Sequence, residues 1–348
     1  VMQARRFEPK LGHREMGMEL AFFRALWKGT GIPPVDPWFA GEPINYYYGG
    51  YMIFAGIAKI GGLSTGVAYN LSVSTVFMLA VSGAFVLGTA LTASRIWGAV
   101  TVLCTVIIGN LAGFFRLIEY GTLSFDQFSM RWRYLWNTSR VIYDGTESQG
   151  QQTINEYPFF AEVWGNLHGH MANIPWVLLF VCLTVALLWS GMDRRSPMKW
   201  LKVRWPLLFV LVISLGGLGF ANLFDLPTFS VLYGCAILVV AGDAFRKRRM
   251  ANTGFCLSLL CVPLLAYLFY LPFHRDFVAP LQYPAMLPFG EEKDTLIRFV
   301  PSQSDLSEFL AVFGFHISVL IVYLAWLGAR LAQRAGKELT AMVGVVGV

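Results

Sequence analysis

Two glutamates four residues apart, Glu15 and Glu19, sit on a segment with apolar periodicity. A helix there points both carboxyls the same way. Paired carboxyls suit general acid–base work, and they are equally the solvated face of an amphipathic helix. Residues 165–170 read Gly-Asn-Leu-His-Gly-His, which places His168 and His170 two apart. Imidazoles are metal ligands, but helical ligand pairs are normally three or four apart, so packing at a membrane interface is the competing reading. Arg140, in Asn-Thr-Ser-Arg-Val-Ile, suits a lipid phosphate or an acidic neighbour. Asn155 and Glu156 follow in Ile-Asn-Glu-Tyr-Pro-Phe-Phe. Asn222 and Asp225 stand in Asn-Leu-Phe-Asp-Leu-Pro, after Gly216, Gly217 and Gly219. Glycine before such a turn and proline after it allow a broken helix end, where free backbone groups and a polar pair line a site.

What must position these groups is a membrane. The chain has 348 residues, 56% hydrophobic and 14% charged, with a mean hydropathy of +0.55. A soluble domain carries about a quarter of its residues charged. Several apolar runs approach the ~20 residues that cross a bilayer. The fold class is therefore an all-α, polytopic transmembrane helical bundle. The net charge of +6 gathers in short loops around 194–204, 246–249 and 330–337. Short basic loops between apolar spans mark the cytoplasmic side, so the charge reports topology and excludes nucleic acid as its explanation. All five cysteines lie in apolar runs and read as small packing residues.

Spans are expected at about 69–91, 97–116, 173–190, 206–222, 225–243, 254–273 and 306–328. Residues 69–348 form the bundle, with loops 119–172 and 274–305 on the outer face. A helix is expected from Glu15 to Lys28, then a stiff loop over 33–51 with four prolines, Trp38, Asn45 and a run of tyrosines that includes Tyr46 and Tyr47. Proline fixes φ and keeps the preceding residue extended, and Trp and Tyr favour the membrane–water boundary. Residues 46–62 are short for a span and carry Lys59 and five glycines. They are expected to lie flat, which puts all of 1–68 on the outer face with the motif loops. The chain opens with no signal peptide or first span and ends on what reads as the start of another, so it reads as a piece of something longer.

These strings together resemble one family. Glu15-Met-Gly-Met-Glu-Leu-Ala-Phe-Phe, the Pro-Pro-Val-Asp-Pro-Trp-Phe-Ala-Gly-Glu-Pro-Ile-Asn-Tyr-Tyr-Tyr-Gly run and the motifs at 139–142, 154–160, 166–170 and 222–228 resemble the YYY-domain membrane proteins. Those are relatives of the GT-C glycosyltransferases, such as the dolichyl-phosphate-mannose-protein mannosyltransferases. The resemblance implies a GT-C bundle with an outer-face loop and interfacial helices. It implies transfer of a sugar from a polyprenyl-phosphate donor on the outer face, inverting, in a cell membrane. In that reading Glu19 is the base and Glu15 a supporting acid. Arg140 takes the phosphate, and Asn155, Glu156, Asn45, Tyr46, Tyr47, Trp38, Asn222 and Asp225 bind substrate. A divalent metal would sit on His168 and His170. Two motifs depart from the family pattern. Glu19 stands where the family has aspartate, and Asn166 and Gly169 stand where it has Asp-Leu-His-Pro-His. The departures motivate a rival: a non-catalytic accessory subunit that keeps the fold within a larger membrane assembly.

Overall fold

The structure, a computed structural model, describes residues 16–29, 31–39, 41–120, 134–144, 151–152, 154–189, 197–247, 250–278 and 305–346. Among these, six helices are long and apolar enough to cross a membrane. The expected all-α bundle is what forms. Strand structure in the described residues amounts to a two-residue antiparallel ribbon, β1 (Tyr143–Asp144) on β2 (Gln151–Gln152), and an isolated bridge between Val35 and Pro43. The chain divides into two compact units, residues 1–106 with 161–296 and residues 107–160 with 297–348.

The first unit opens with α1 (Met16–Lys28). Met16, Leu20 and Phe23 follow the i, i+4, i+7 spacing of one buried face, and Glu19 lies within that face and not on the solvated one. A loop leads to α2 (Gly49–Ile60). Its 12 residues rise about 18 Å, short of the ~30 Å of a hydrocarbon core. Next come α3 (Thr65–Thr92) and α4 (Arg95–Val102). These two pack so closely at Gly88 and Gly98 that a Cβ on either would sit 2.2 Å from a threonine hydroxyl of the other helix. Small residues let membrane helices approach until dispersion and backbone contacts hold them, since lipid supplies little hydrophobic drive between helices.

Later in the same unit run α7 (Gly169–Ala172), α8 (Ile174–Trp189), α9 (Pro197–Ala221) and α10 (Asp225–Arg246). α11 (Met250–Ser258), α12 (Val262–Phe269) and α13 (Leu271–Asp276) complete it. α6 (Pro158–Trp164) precedes them and carries the chain from the second unit into the first. One core joins α1, α2 and the start of α3 around Phe23, Tyr51 and Tyr69. The other joins α8 to α12 around Phe180, Leu215 and Tyr233.

In the second unit, α5 (Leu111–Tyr120) packs on α14 (Leu306–Val346), with Leu111 against Gly314. The expected span 97–116 is not one helix. A π turn at Leu103–Ile107 ends α4, residues 108–110 leave the helix, and α5 starts anew. Asn110 explains the restart. Its Oδ1 accepts the Gly113 N–H at 3.2 Å while its Nδ2 donates to the Thr138 carbonyl at 2.7 Å, so a side chain supplies what the broken helix lacks. The basic segment around 330–337, expected as a loop, is helical within α14.

Candidate functional site

Glu19 is fully enclosed, at 0% exposure. Burying a carboxylate is costly unless donors surround it. Here they do. Oε2 accepts the Tyr69 hydroxyl and the Leu167 backbone N–H, the latter at 2.9 Å. Oε1 lies 2.8 Å from His168 Nδ1. The ring N–H is out of line with that oxygen, so this contact is electrostatic and not a linear hydrogen bond. The nearby carboxylate oxygen favours the proton on Nδ1 in the neutral ring. Nε2 is then the acceptor nitrogen, and the Asn166 amide sits 3.4 Å from it. His168 is itself 7% exposed and immediately precedes α7.

Three elements are needed to build this arrangement: the buried face of α1, the fifth residue of α3 and the turn before α7. Gly169 allows the turn to close, since a Cβ there would lie 2.4 Å from the Tyr47 ring. Tyr51 adds a second hydroxyl, 1% exposed and making no hydrogen bond. Burial, and then the charge of Glu19, pushes it well above the usual tyrosine range.

The tyrosine loop forms an aromatic wall beside α1. Tyr46 and Tyr47 lie 4.0 Å apart, and Phe22 reaches Tyr46 at 5.6 Å and Trp38 at 6.1 Å, centroid to centroid. Trp38 is 64% exposed, with its backbone N–H held by Asp36. Asn45 pairs reciprocally with the backbone of Val278, at 2.9 and 3.1 Å, which ties the loop to the end of α13. Tyr48 packs on Phe220 and Phe273, and burial with the nearby Asp276 charge pushes its hydroxyl up to about 12.

The turn between α9 and α10 carries its own polar knot. Asp225 Oδ2 accepts Nδ2 of Asn173 at 2.7 Å and of Asn222 at 3.0 Å. Asn173 also donates to the Leu218 carbonyl, at the glycine-rich end of α9. The polar pair expected at a broken helix end is present, with Asn173 as a third member.

Arg140, Asn155 and Glu156 meet within the second unit. The guanidinium lies 2.9 Å from Glu156 Oε1, donates to the Ser139 carbonyl and hydroxyl, and stacks on Trp136 at 4.3 Å. Three of its five N–H donors are thereby used. Asn155 Oδ1 accepts the N–H groups of Val141 and Ile142, fixing the segment that follows Arg140.

Glu15 lies outside the described residues. His168 and His170 stack, 5.4 Å between centroids at 15°, instead of converging on a point. Among the described residues, no group of three His, Cys, Asp or Glu side chains is placed to hold a metal ion. His168 and His170 are given no third ligand among the described residues, and no step is derived through a metal.

Sequence reasoning passed over Tyr69, Tyr51, Asn173 and Glu162. The tyrosines gave no signal, because either fits an apolar helix start. Glu162 could have been found, as the one carboxylate in Pro-Phe-Phe-Ala-Glu-Val-Trp. It is 2% exposed, its Oε2 makes no hydrogen bond, and burial pushes it up to about 8.

Compared with known proteins, the chain matches the family described as uncharacterised membrane protein, DUF2298, over residues 1–348, and it belongs to that family. No curated protein and no solved structure matches it.

Proposed function

We propose that this DUF2298 member is a membrane transferase that moves a sugar from a polyprenyl-phosphate donor to an acceptor hydroxyl, with the Glu19–His168 pair as its base. One observation carries the reading: a carboxylate enclosed by three polar contacts, one of them an imidazole whose far nitrogen is an acceptor. His168 Nε2 takes the proton of the acceptor hydroxyl as that oxygen attacks the anomeric carbon. The bond from that carbon to the phosphate oxygen breaks with inversion, and the phosphate leaves as an anion. Glu19 stabilises the imidazolium that forms, as a carboxylate behind an imidazole does in general base catalysis. Tyr46, Tyr47 and Trp38 offer faces for a sugar ring. The outer-face placement of these groups, and the YYY and GT-C relationship, belong to this proposal.

Full-length protein in native membranes, supplied with labelled polyprenyl-phosphate sugar, tests it. Transfer falls about 100-fold or more in His168→Gln, in line with general base catalysis. Glu19→Gln falls as well, because an amide in place of the carboxylate no longer holds the imidazole proton on Nδ1. Undiminished transfer in His168→Gln removes the mechanism.

The accessory-subunit reading has its own support, since Glu19 is held by donors of its own chain and fully enclosed. On that reading both variants lower thermal stability, and transfer in the same membranes does not depend on this protein at all.

A further inference from the structure

A long apolar groove of about 660 Å³ runs between α9 on one side and the α11–α12 pair on the other. That volume lies within the ~300–1,000 Å³ range of ligand sites. Leu201, Trp205, Leu208 and Phe209 of α9 face Leu265 and Phe269 of α12 across it. At one end Phe209 and Phe269 meet edge to face, 6.4 Å between centroids. The opposite end is where α9 begins. There Trp205, 59% exposed, marks the depth at which indoles favour the interface.

The basic residues of α9 fall beside this open end. Lys202 lies three residues before Trp205 and seven before Phe209, and Arg204 lies four before Leu208. By helical spacing they continue the two edges of the groove-lining stripe, one turn closer to the helix start. Helical side chains lean toward the N-terminus, which brings both cations toward the helix start, where Leu201 still lines the groove. Both are exposed, and neither has an ion-pair partner among the described residues. The basic residues of the neighbouring α10 end differ, since Arg246 and Lys247 share Asp243.

We infer that this groove binds one anionic diacyl phospholipid, with an acyl chain between α9 and α12 and its headgroup at the basic start of α9, which Lys202 and Arg204 flank. The apolar lining accounts for the chain and the unshared positive charge selects the headgroup. Clustered basic residues at a membrane surface contribute about fivefold each to affinity for an anionic lipid. The inference does not rest on the transferase reading. It concerns the basic end of the helices, and it holds whether or not the protein is an enzyme.

The test uses the full chain, delipidated in mild detergent and titrated with phosphatidylglycerol or phosphatidylcholine of identical acyl chains, with bound lipid counted by native mass spectrometry. Phosphatidylglycerol is expected to bind about twentyfold more tightly, and the preference should shrink as salt is raised. Lys202→Ser with Arg204→Ser abolishes the preference while leaving the fold intact, since both side chains are exposed. Lys59→Ser, far along the chain and equally exposed, leaves it unchanged. Leu265→Trp fills the groove and lowers retention of both lipids. Equal retention of the two lipids overturns the inference, as does a preference that survives the double substitution. So does a dimer, detected by mass, whose formation covers this face and excludes lipid.

Discussion

Two buried ion pairs make a useful contrast, each within its own unit. Arg140–Glu156 joins residues 16 apart, in a segment that folds back on itself through Asn155. The guanidinium is already charged at any accessible pH, and its neighbours are a carboxylate, a carbonyl, a hydroxyl and an indole face. Glu19–His168 draws its donors from three separate elements, with Leu167 lying 148 residues from Glu19. Its partner is an imidazole, which in the neutral ring with the proton on Nδ1 keeps Nε2 as an acceptor. The first pair is arranged to stay as it is. The second is arranged so that a proton can come and go, which is why it carries the proposed chemistry.

Breaking the first pair should have the largest effect. Arg140→Met leaves Glu156 charged and nearly buried, and should lower unfolding free energy by about 3–5 kcal/mol. Adding Glu156→Met should recover most of it, because an apolar pair of similar volume can replace a buried ion pair. Chemical denaturation in detergent micelles reads both. If the double variant stays as unstable as the single one, the pair does more than balance charge.

Glu162 sharpens the contrast as a buried carboxyl with an oxygen that has no partner. Its folded pKa is raised to about 8 from an ordinary 4.5. Between those values the unfolded chain has released a proton that the folded chain keeps, so stability falls as pH rises from about 4.5 to about 8 and is flat above. Glu162→Gln removes that slope and should stabilise the protein by about 2–3 kcal/mol at pH 7. A pH series of melting temperatures decides it. An unchanged slope in the variant assigns the dependence to other groups.

Glu19→Gln should cost least in stability, about 1–2 kcal/mol. The amide oxygen can keep the bonds from Tyr69 and Leu167, and the neutral imidazole can move its proton to Nε2 to accept from the amide. Imidazole nitrogen chemical shifts would report that tautomer change. A loss as large as that of Arg140→Met would show that Glu19 is a structural ion and not a relay.

Much of the fold was legible because its causes are local. Apolar runs of spanning length, proline and glycine punctuation and clustered basic residues each act through neighbours in sequence. The run over 97–116 misled because hydropathy does not register that Asn110 can cap a new helix. That depends on a carbonyl at Thr138. The candidate site was half legible. Glu19 and His168 stood out as unusual residue types, but their pairing was hidden. The face of α1 that Glu19 shares with Met16 and Leu20 looked like a place for solvent until Tyr69 and Leu167 were brought against it.

The sequence by itself determined that this is a multi-span helical membrane protein, because length and hydropathy decide whether a segment prefers lipid before any tertiary contact forms. The tertiary structure alone decided that Glu19 belongs with His168, that Gly169 yields its space to Tyr47, and that Arg140 is already engaged by Glu156. The reason is physical. A buried charge is tolerated only where its donors converge, and which donors converge depends on contacts between segments far apart in the chain.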